Sequence, residues 1–187
     1  MNLEIYYHCI YLRHGHSHHN VEEIYNSNPK HPEYFNSELT QKGKDQVKNS
    51  GRALLKLGFN PLTFTKVFVS PLPRTIQTAE VLCELSLIKK NQYIIEDFIT
   101  ELQVGHLESQ KITDYTAHLT QADNIDDYES YEDLKKRLSV FVKELKKEKG
   151  NLLIISHKCI LETLILLKEE KIASLETGGF HISSHLY

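Results

Sequence analysis

What the chain lacks narrows the field before any motif is read. Its three cysteines (Cys9, Cys83 and Cys159) are odd in number and show no metal-like pairing. Each lies in or beside an apolar run, so they are expected as reduced, small hydrophobes of a cytoplasmic protein rather than as a disulfide framework. No basic segment followed by an apolar stretch opens the sequence, and no apolar run approaches membrane-spanning length; a soluble protein with no membrane partner is expected. Excess positive charge is also missing. With 22 Lys+Arg against 25 Asp+Glu the formal net charge is -3, which gives no whole-molecule attraction to nucleic acid, so an anionic ligand would have to be drawn by a local cationic pocket. There are no internal repeats and no linker, and 187 residues that are 40% hydrophobic and 25% charged suit one globular domain, 1–187, with a substantial core.

The most informative stretch is Ile5 to Asn20, IYYHCIYLRHGHSHHN. It begins as an apolar, β-branched and aromatic run, as a strand buried on both faces requires. It then breaks into Arg13-His14-Gly15, two donors followed by a residue that lets backbone approach a ligand closely. Open α/β sheets bind ligands at the carboxyl ends of their strands, where this tripeptide would sit. A polar stretch from Asn26 to Glu38 follows and could wall a pocket.

Three more strand ends are predicted to present chemistry. Lys66–Ser70 reads as a short buried strand running into Pro71-Leu72-Pro73-Arg74-Thr75, with Arg74 near a helix N-terminus that itself favours an anion. Tyr93–Glu96 reads as a third strand, followed by Glu101 and, deeper in the loop, Glu108. Leu152–Ser156 ends in His157. Between them the periodicity predicts a helix capped by Thr40 and reaching about Leu57, with Val47, Leu54 and Leu57 inward and Gly58 as its stop. A helix follows Arg74 to about Leu85, and a short one is expected over Lys111–Leu119, before an acidic loop from Gln121 to Glu129. A strongly amphipathic helix starts at Ser130, with Asp133 completing a capping box, and is stopped by Gly150. An apolar helix is expected over Leu161–Lys168 and a last strand over Phe180–Ser184. The alternation predicts an α/β fold.

Taken together, Arg13-His14-Gly15-x-Ser17-x-x-Asn20, the Leu39-Thr40-x-x-Gly43-x-x-Gln46 segment, the Arg74-Thr75-x-Gln77-Thr78-Ala79-Glu80 block, the Glu129-Ser130…Arg137 segment and the strand-Ser156-His157 end resemble the histidine phosphatase superfamily, the phosphoglycerate-mutase-like enzymes. The resemblance implies a three-layer α/β/α sandwich around a mixed, mostly parallel sheet. It further implies a phosphomonoester hydrolase with a phosphohistidine intermediate on His14, and with Arg13, Arg74 and a cationic His157 on the phosphate. Ser17, Asn20 and Lys158 would assist substrate binding, and Glu101 would be the general acid and base, with Glu108 competing for that place. A small phosphorylated substrate, no cofactor and no metal are expected, and a homodimer is compatible with it. The chain departs from the family at Ser109 and Lys158, where glycines are usual. It also carries Leu102-Gln103-Val104-Gly105 where bisphosphoglycerate-type mutases carry Arg-His-Tyr-Gly, which favours a phosphatase over a mutase.

Two other classes compete. His14-x-His16-x-His18-His19 comes close to the His-x-His-x-Asp-His pattern of metallo-β-lactamase-like dizinc hydrolases, with His106, His118, His157 and His181 available as further ligands. A catalytically inactive phosphate-binding protein of the same fold is the third reading.

Overall fold

The computed structural model describes residues 6–113, 128–171 and 173–186. Five strands form one sheet: β1 (Tyr6–Arg13), β2 (Phe64–Val69), β3 (Tyr93–Ile95), β4 (Asn151–Ser156) and β5 (Phe180–Leu186). Their order is β3-β2-β4-β1-β5. The β1/β4, β4/β2 and β2/β3 pairs are parallel and β5 runs antiparallel to β1, the mixed, mostly parallel sheet that was expected.

Burial on both faces explains why β1 and β4 read as unbroken apolar runs. Successive side chains point to opposite sides of a strand, so Cys9 and Tyr11 enter one core with Leu152 and Ile154. Ile10 and Leu12 enter the other with Leu153 and Ile155. The helices α4 (Tyr131–Leu145) and α5 (Lys158–Glu169) cover the first face through residues such as Leu138, Phe141 and Leu164. On the second face lie α2 (Gln41–Lys56) and α3 (Pro73–Glu84), through Val47, Leu54 and Leu82. The short α1 (His18–Glu22) follows β1 directly. This is the α/β/α sandwich.

Several boundaries differ from expectation for identifiable reasons. Leu57, expected inward, is 61% exposed, because α2 ends at Lys56 in a Schellman turn: Phe59 N–H donates to the Leu54 carbonyl, Gly58 N–H donates to that of Leu55, and Gly58 takes φ +92°. The inward apolar contact passes to Phe59, which is buried. Gly150 does not stop α4, which ends at Leu145; it turns the chain, at φ +113°, into β4. α5 begins at Lys158, three residues before the expected start, and its N-cap His157 makes no side-chain capping bond, so no capping signal marked it. The third strand is three residues long and forms a sheet edge where Ile94 and Ile95 stay 46% exposed. The expected helix over Lys111–Leu119 and the acidic loop from Gln121 lie mostly outside the described residues. Among the described residues, no helix is long and apolar enough to cross a membrane.

The topology fixes where a ligand would sit. The connection leaving β1 runs to α2 on one face, whereas that leaving β4 runs to α5 on the other, although β1 and β4 are neighbours. Divergent connections open a crevice at the strands' carboxyl ends, and ligands of open α/β sheets occupy such crevices.

Candidate active site

Every carboxyl end of the parallel strands contributes to this crevice. Arg13 closes β1 and His14 follows, its backbone N–H donating to the Ser156 carbonyl at the end of β4 at 3.0 Å. His157 comes next after Ser156, and the two imidazole rings stand 5.2 Å apart. From β2 the chain passes Ser70 and Leu72 into α3, with Pro73 in its first turn and Arg74 beside it. Past β3, Glu101 leaves a 3₁₀ turn (Asp97–Ile99), bringing its Oε2 to 3.3 Å from His157 Nδ1 and 3.8 Å from an Arg74 terminal nitrogen.

The hydrogen bonds of His14 define its chemistry. Its Nδ1 lies 2.8 Å from the Gly15 carbonyl oxygen, which can only accept, so Nδ1 carries the proton. In the neutral ring this leaves the lone pair on Nε2. Neutrality is enforced: the pKa of His14 is held well below the usual histidine range, first by burial and then by Arg74, His19 and Arg13. His14 is 1% exposed. A buried, neutral imidazole with a fixed tautomer is a competent nucleophile.

Two neighbours show the same neutrality. Asn20 Oδ1 accepts from Ser17 N–H at 3.0 Å, so its other terminal atom is the donating amide nitrogen, and that nitrogen lies 3.0 Å from His19 Nε2. His19 Nε2 is therefore an acceptor, and its proton sits on Nδ1, which faces the Ser17 and Ser37 hydroxyls. Burial first, then Arg74 and Arg13, push its pKa down to about 2. His157, expected as a cation, is held well below the usual range by burial and then by Arg74, His14 and His19. Its Nε2 pairs with the Ser70 hydroxyl at 2.8 Å. The Glu101 carboxyl near Nδ1 stands off the direction that a hydrogen bond needs, so Nδ1 has no hydrogen-bond partner. These groups press His157 toward the neutral form, whereas a phosphate dianion bound beside it would favour the cation that was expected.

These three histidines imply an acid-labile fold. A group whose folded pKa is depressed binds its proton in the unfolded chain first, so stability is present above the unfolded pKa of about 6.5 and is lost below it. Three such groups amount to about 4 kcal/mol between pH 7.5 and 5.5. Glu101, whose pKa is raised, works in the opposite direction. Urea unfolding at the two pH values should show this loss, and a His19→Asn variant should lose about a third of it; equal stability at both would contradict neutral burial.

The arginines are spent differently from one another. Arg74 is fully buried, and its terminal nitrogens donate to the Asn26 side-chain oxygen at 3.1 Å and the Asn26 carbonyl at 2.9 Å. Arg13 donates from one terminal nitrogen to the Leu175 carbonyl at 2.8 Å. Among the described residues, the Nε atoms of both arginines and His157 Nδ1 are buried nitrogens without a hydrogen-bond partner. Unpaired buried donors are costly, and their gathering around one crevice suits an anion that would satisfy them.

Glu101 and Glu108 separate cleanly. Glu101 keeps 22% of its side chain exposed and lines the cavity. Its pKa is raised by burial, against the pull of Arg74, the Leu102 N–H and Arg13. Glu108 is fully buried away from the cavity lining, and its carboxylate takes the Ser27 N–H at 2.8 and 3.0 Å and the Ser27 hydroxyl at 2.8 Å. Arg137 steadies the segment carrying Glu101: it makes a two-pronged pair with Glu129 at 2.6 and 2.7 Å and donates to the Phe98 and Thr100 carbonyls.

The remaining expectations divide. Asn20 and Lys158 line a cavity of about 600 Å³ together with Arg13, Arg74 and Glu101. His14, His157 and Ser17 are not on its lining; Ser17, fully buried, donates from N–H and hydroxyl to Asn20 and faces His19 Nδ1, so it positions both. Gly15, expected to admit a ligand, instead admits α2: a Cβ there would fall 2.4 Å from the Gly43 carbonyl oxygen. Its N–H donates to Thr78 Oγ1, whose hydroxyl donates to the Arg74 carbonyl. Ser109 occupies its glycine-like position at φ +63° while donating to the Glu33 carbonyl. Asn26, His19 and Ser70 were not anticipated in this setting, although the polar loop from Asn26 was expected to wall a pocket. Cys159 also lines the cavity, but burial and Glu101 raise its thiol to about 12, which keeps it protonated.

Among the described residues the dizinc reading has no geometric support, and His118 lies outside them. His16 Nδ1 pairs with the Thr40 hydroxyl, His18 is exposed, and His14 and His19 are engaged as above. Among the described residues, no three His, Cys, Asp or Glu side chains are placed to hold a metal ion.

Comparison with known proteins bears on the fold and on the family. The fold matches a putative alpha-ribazole-5'-P phosphatase from Escherichia coli at 19% identity with TM-score 0.75, covering 97% of this chain and 95% of that one. It matches a phosphoglycerate mutase from Bacillus anthracis at 19% identity with TM-score 0.74, over 97% and 89%. A mycobacterial glucosyl-3-phosphoglycerate phosphatase matches at 16% identity with TM-score 0.74, over 96% and 91%. No curated protein matches the sequence. The sequence profile of the histidine phosphatase superfamily (branch 1) matches residues 9–177, and the chain belongs to that family.

Proposed function

We propose that this protein hydrolyses phosphomonoesters through a phosphohistidine on His14. The observation that carries the reading is the His14 ring itself, held neutral with its Nδ1 proton on the Gly15 carbonyl, behind a cavity lined by Arg13, Arg74 and Glu101. A phosphate monoester is dianionic near neutral pH, so catalysis needs charge neutralisation and an in-line nucleophile. Arg13 and Arg74 neutralise the equatorial oxygens, and His157 donates to one of them. His14 Nε2 attacks phosphorus while the P–O bond to the leaving alcohol breaks. Protonated Glu101 gives its proton to that oxygen. The resulting carboxylate then takes a proton from water, which attacks the phosphohistidine and releases inorganic phosphate and neutral His14. Asn20 and Lys158 contact the substrate, and Ser17 holds Asn20 in place.

Hydrolysis is favoured over mutase chemistry by the segment after Glu101. Leu102 and Val104 line the cavity there, and neither side chain can grip the second charged group that a phosphoglycerate carries.

The test is hydrolysis of p-nitrophenyl phosphate with and without a chelator. The expected result is equal turnover in both, with a phosphoenzyme that is labile in acid and stable in alkali. Loss of turnover on chelation, restored by zinc, would overturn the proposal.

A further inference from the structure

Beyond the phosphate-facing groups, the cavity changes character. Ile24, Leu102, Val104, Ile112, Leu166 and Ala173 line it alongside them, and these side chains are apolar. Ile112 is 47% exposed, a large apolar side chain left facing outward beside a charged site. An apolar wall continuous with a phosphate site has a cost unless something apolar covers it.

Besides the two arginines and Glu101, the lining carries one charged side chain of each sign. Lys158, the cation that lines the cavity besides the two arginines, stands four residues before Glu162 on α5, and both line the cavity. Side chains at that spacing share a helix face. A second anionic group on the substrate would meet Glu162 as soon as it met Lys158. Glu162 is itself fixed, its Oε1 accepting from the Leu175 N–H at 3.1 Å.

Resting on the hydrolase reading above, we infer that the substrate is the phosphate ester of an uncharged, carbon-rich alcohol whose apolar body packs against the apolar lining. A compact polyanion such as a phosphoglycerate or a sugar bisphosphate fits this wall poorly. The phosphate is held by the arginines, and discrimination comes from the size and apolarity of the group that leaves.

The experiment uses n-alkyl phosphates from ethyl to octyl, whose leaving alcohols have nearly the same acidity, so the chemical step is constant along the series. Each methylene that enters the apolar wall is expected to raise kcat/KM about fourfold until the cavity is full. 3-Phosphoglycerate is expected to be a poorer substrate than butyl phosphate. Ile112→Asp, at a half-exposed position that folding tolerates, should flatten the series. Non-hydrolysable alkylphosphonates, followed by calorimetry, read the cavity without turnover and should tighten with chain length in parallel. No hydrolysis of any ester, with phosphonates still tightening, would remove the hydrolase reading and keep the apolar subsite. Turnover that is flat with chain length, or fastest with 3-phosphoglycerate, would overturn the inference and leave the hydrolase intact.

Discussion

His14→Ala is expected to lower kcat for any phosphomonoester by at least about 10⁴-fold, because removing a covalent nucleophile leaves only binding and electrostatic contributions. No acid-labile phosphoenzyme should then be trapped. The loss should be one of chemistry and not of recognition, since Arg13 and Arg74 are anchored independently of His14, by Leu175 and Asn26. An alkylphosphonate should therefore still bind within a few-fold of its original affinity. The substitution also deletes a buried imidazole whose protonation opposes folding in acid, so the variant should resist mild acid better than the parent. Retention of more than one part in a hundred of the activity would show that phosphorus is attacked by something other than His14.

Glu101→Gln should lower turnover of an alkyl phosphate by roughly 10²–10⁴-fold, the usual range for a lost general acid. Its effect on p-nitrophenyl phosphate should be much smaller, because p-nitrophenolate departs with little protonation. Each tenfold gap between the two esters corresponds to about 1.4 kcal/mol of transition-state stabilisation. Glu108→Gln offers the contrast. Its carboxylate holds the Ser27 N–H and hydroxyl in the interior, and an amide cannot accept all of these bonds. A cost of about 2 kcal/mol in stability is expected, with no selectivity between leaving groups. Leaving-group dependence in Glu108→Gln, together with parental behaviour in Glu101→Gln, would exchange the two assignments.

The strand ends that carry the candidate site residues were legible in the sequence because burial on both faces writes a strand as an unbroken apolar run. Such a run ends visibly, as at Leu12 before Arg13-His14 and at Ile155 before Ser156-His157. What was not legible depended on partners distant in sequence. Glu101 and Glu108 are alike as residues and only seven positions apart; one meets Arg74 and His157, the other Ser27. The burial of His157 and the approach of Arg74, which press its ring toward the neutral form, were not legible either, because both come from segments distant in sequence. Gly15 looked like a ligand contact because the approach of Gly43 from α2 cannot be read from either segment alone. α5 was placed too late because it begins without a capping side chain.

The strand order carries a consequence for how activity arises. β4 lies between β1 and β2 and joins them, yet it pairs with segments far away in the chain: His8 and Asn151 are 143 positions apart. Before β4 inserts, β1 and β2 have no common partner, and the Arg13-His14 and Arg74 ends have nothing to hold them at one edge. Non-local parallel pairing is slow, because a long loop must close before any contact rewards it. A nascent chain on the ribosome therefore remains inactive until residues past Ser156 have emerged, however well its first half has collapsed. In refolding, return of the proposed activity is expected to report insertion of the central strand and to lag behind the helical signal of α2 and α3.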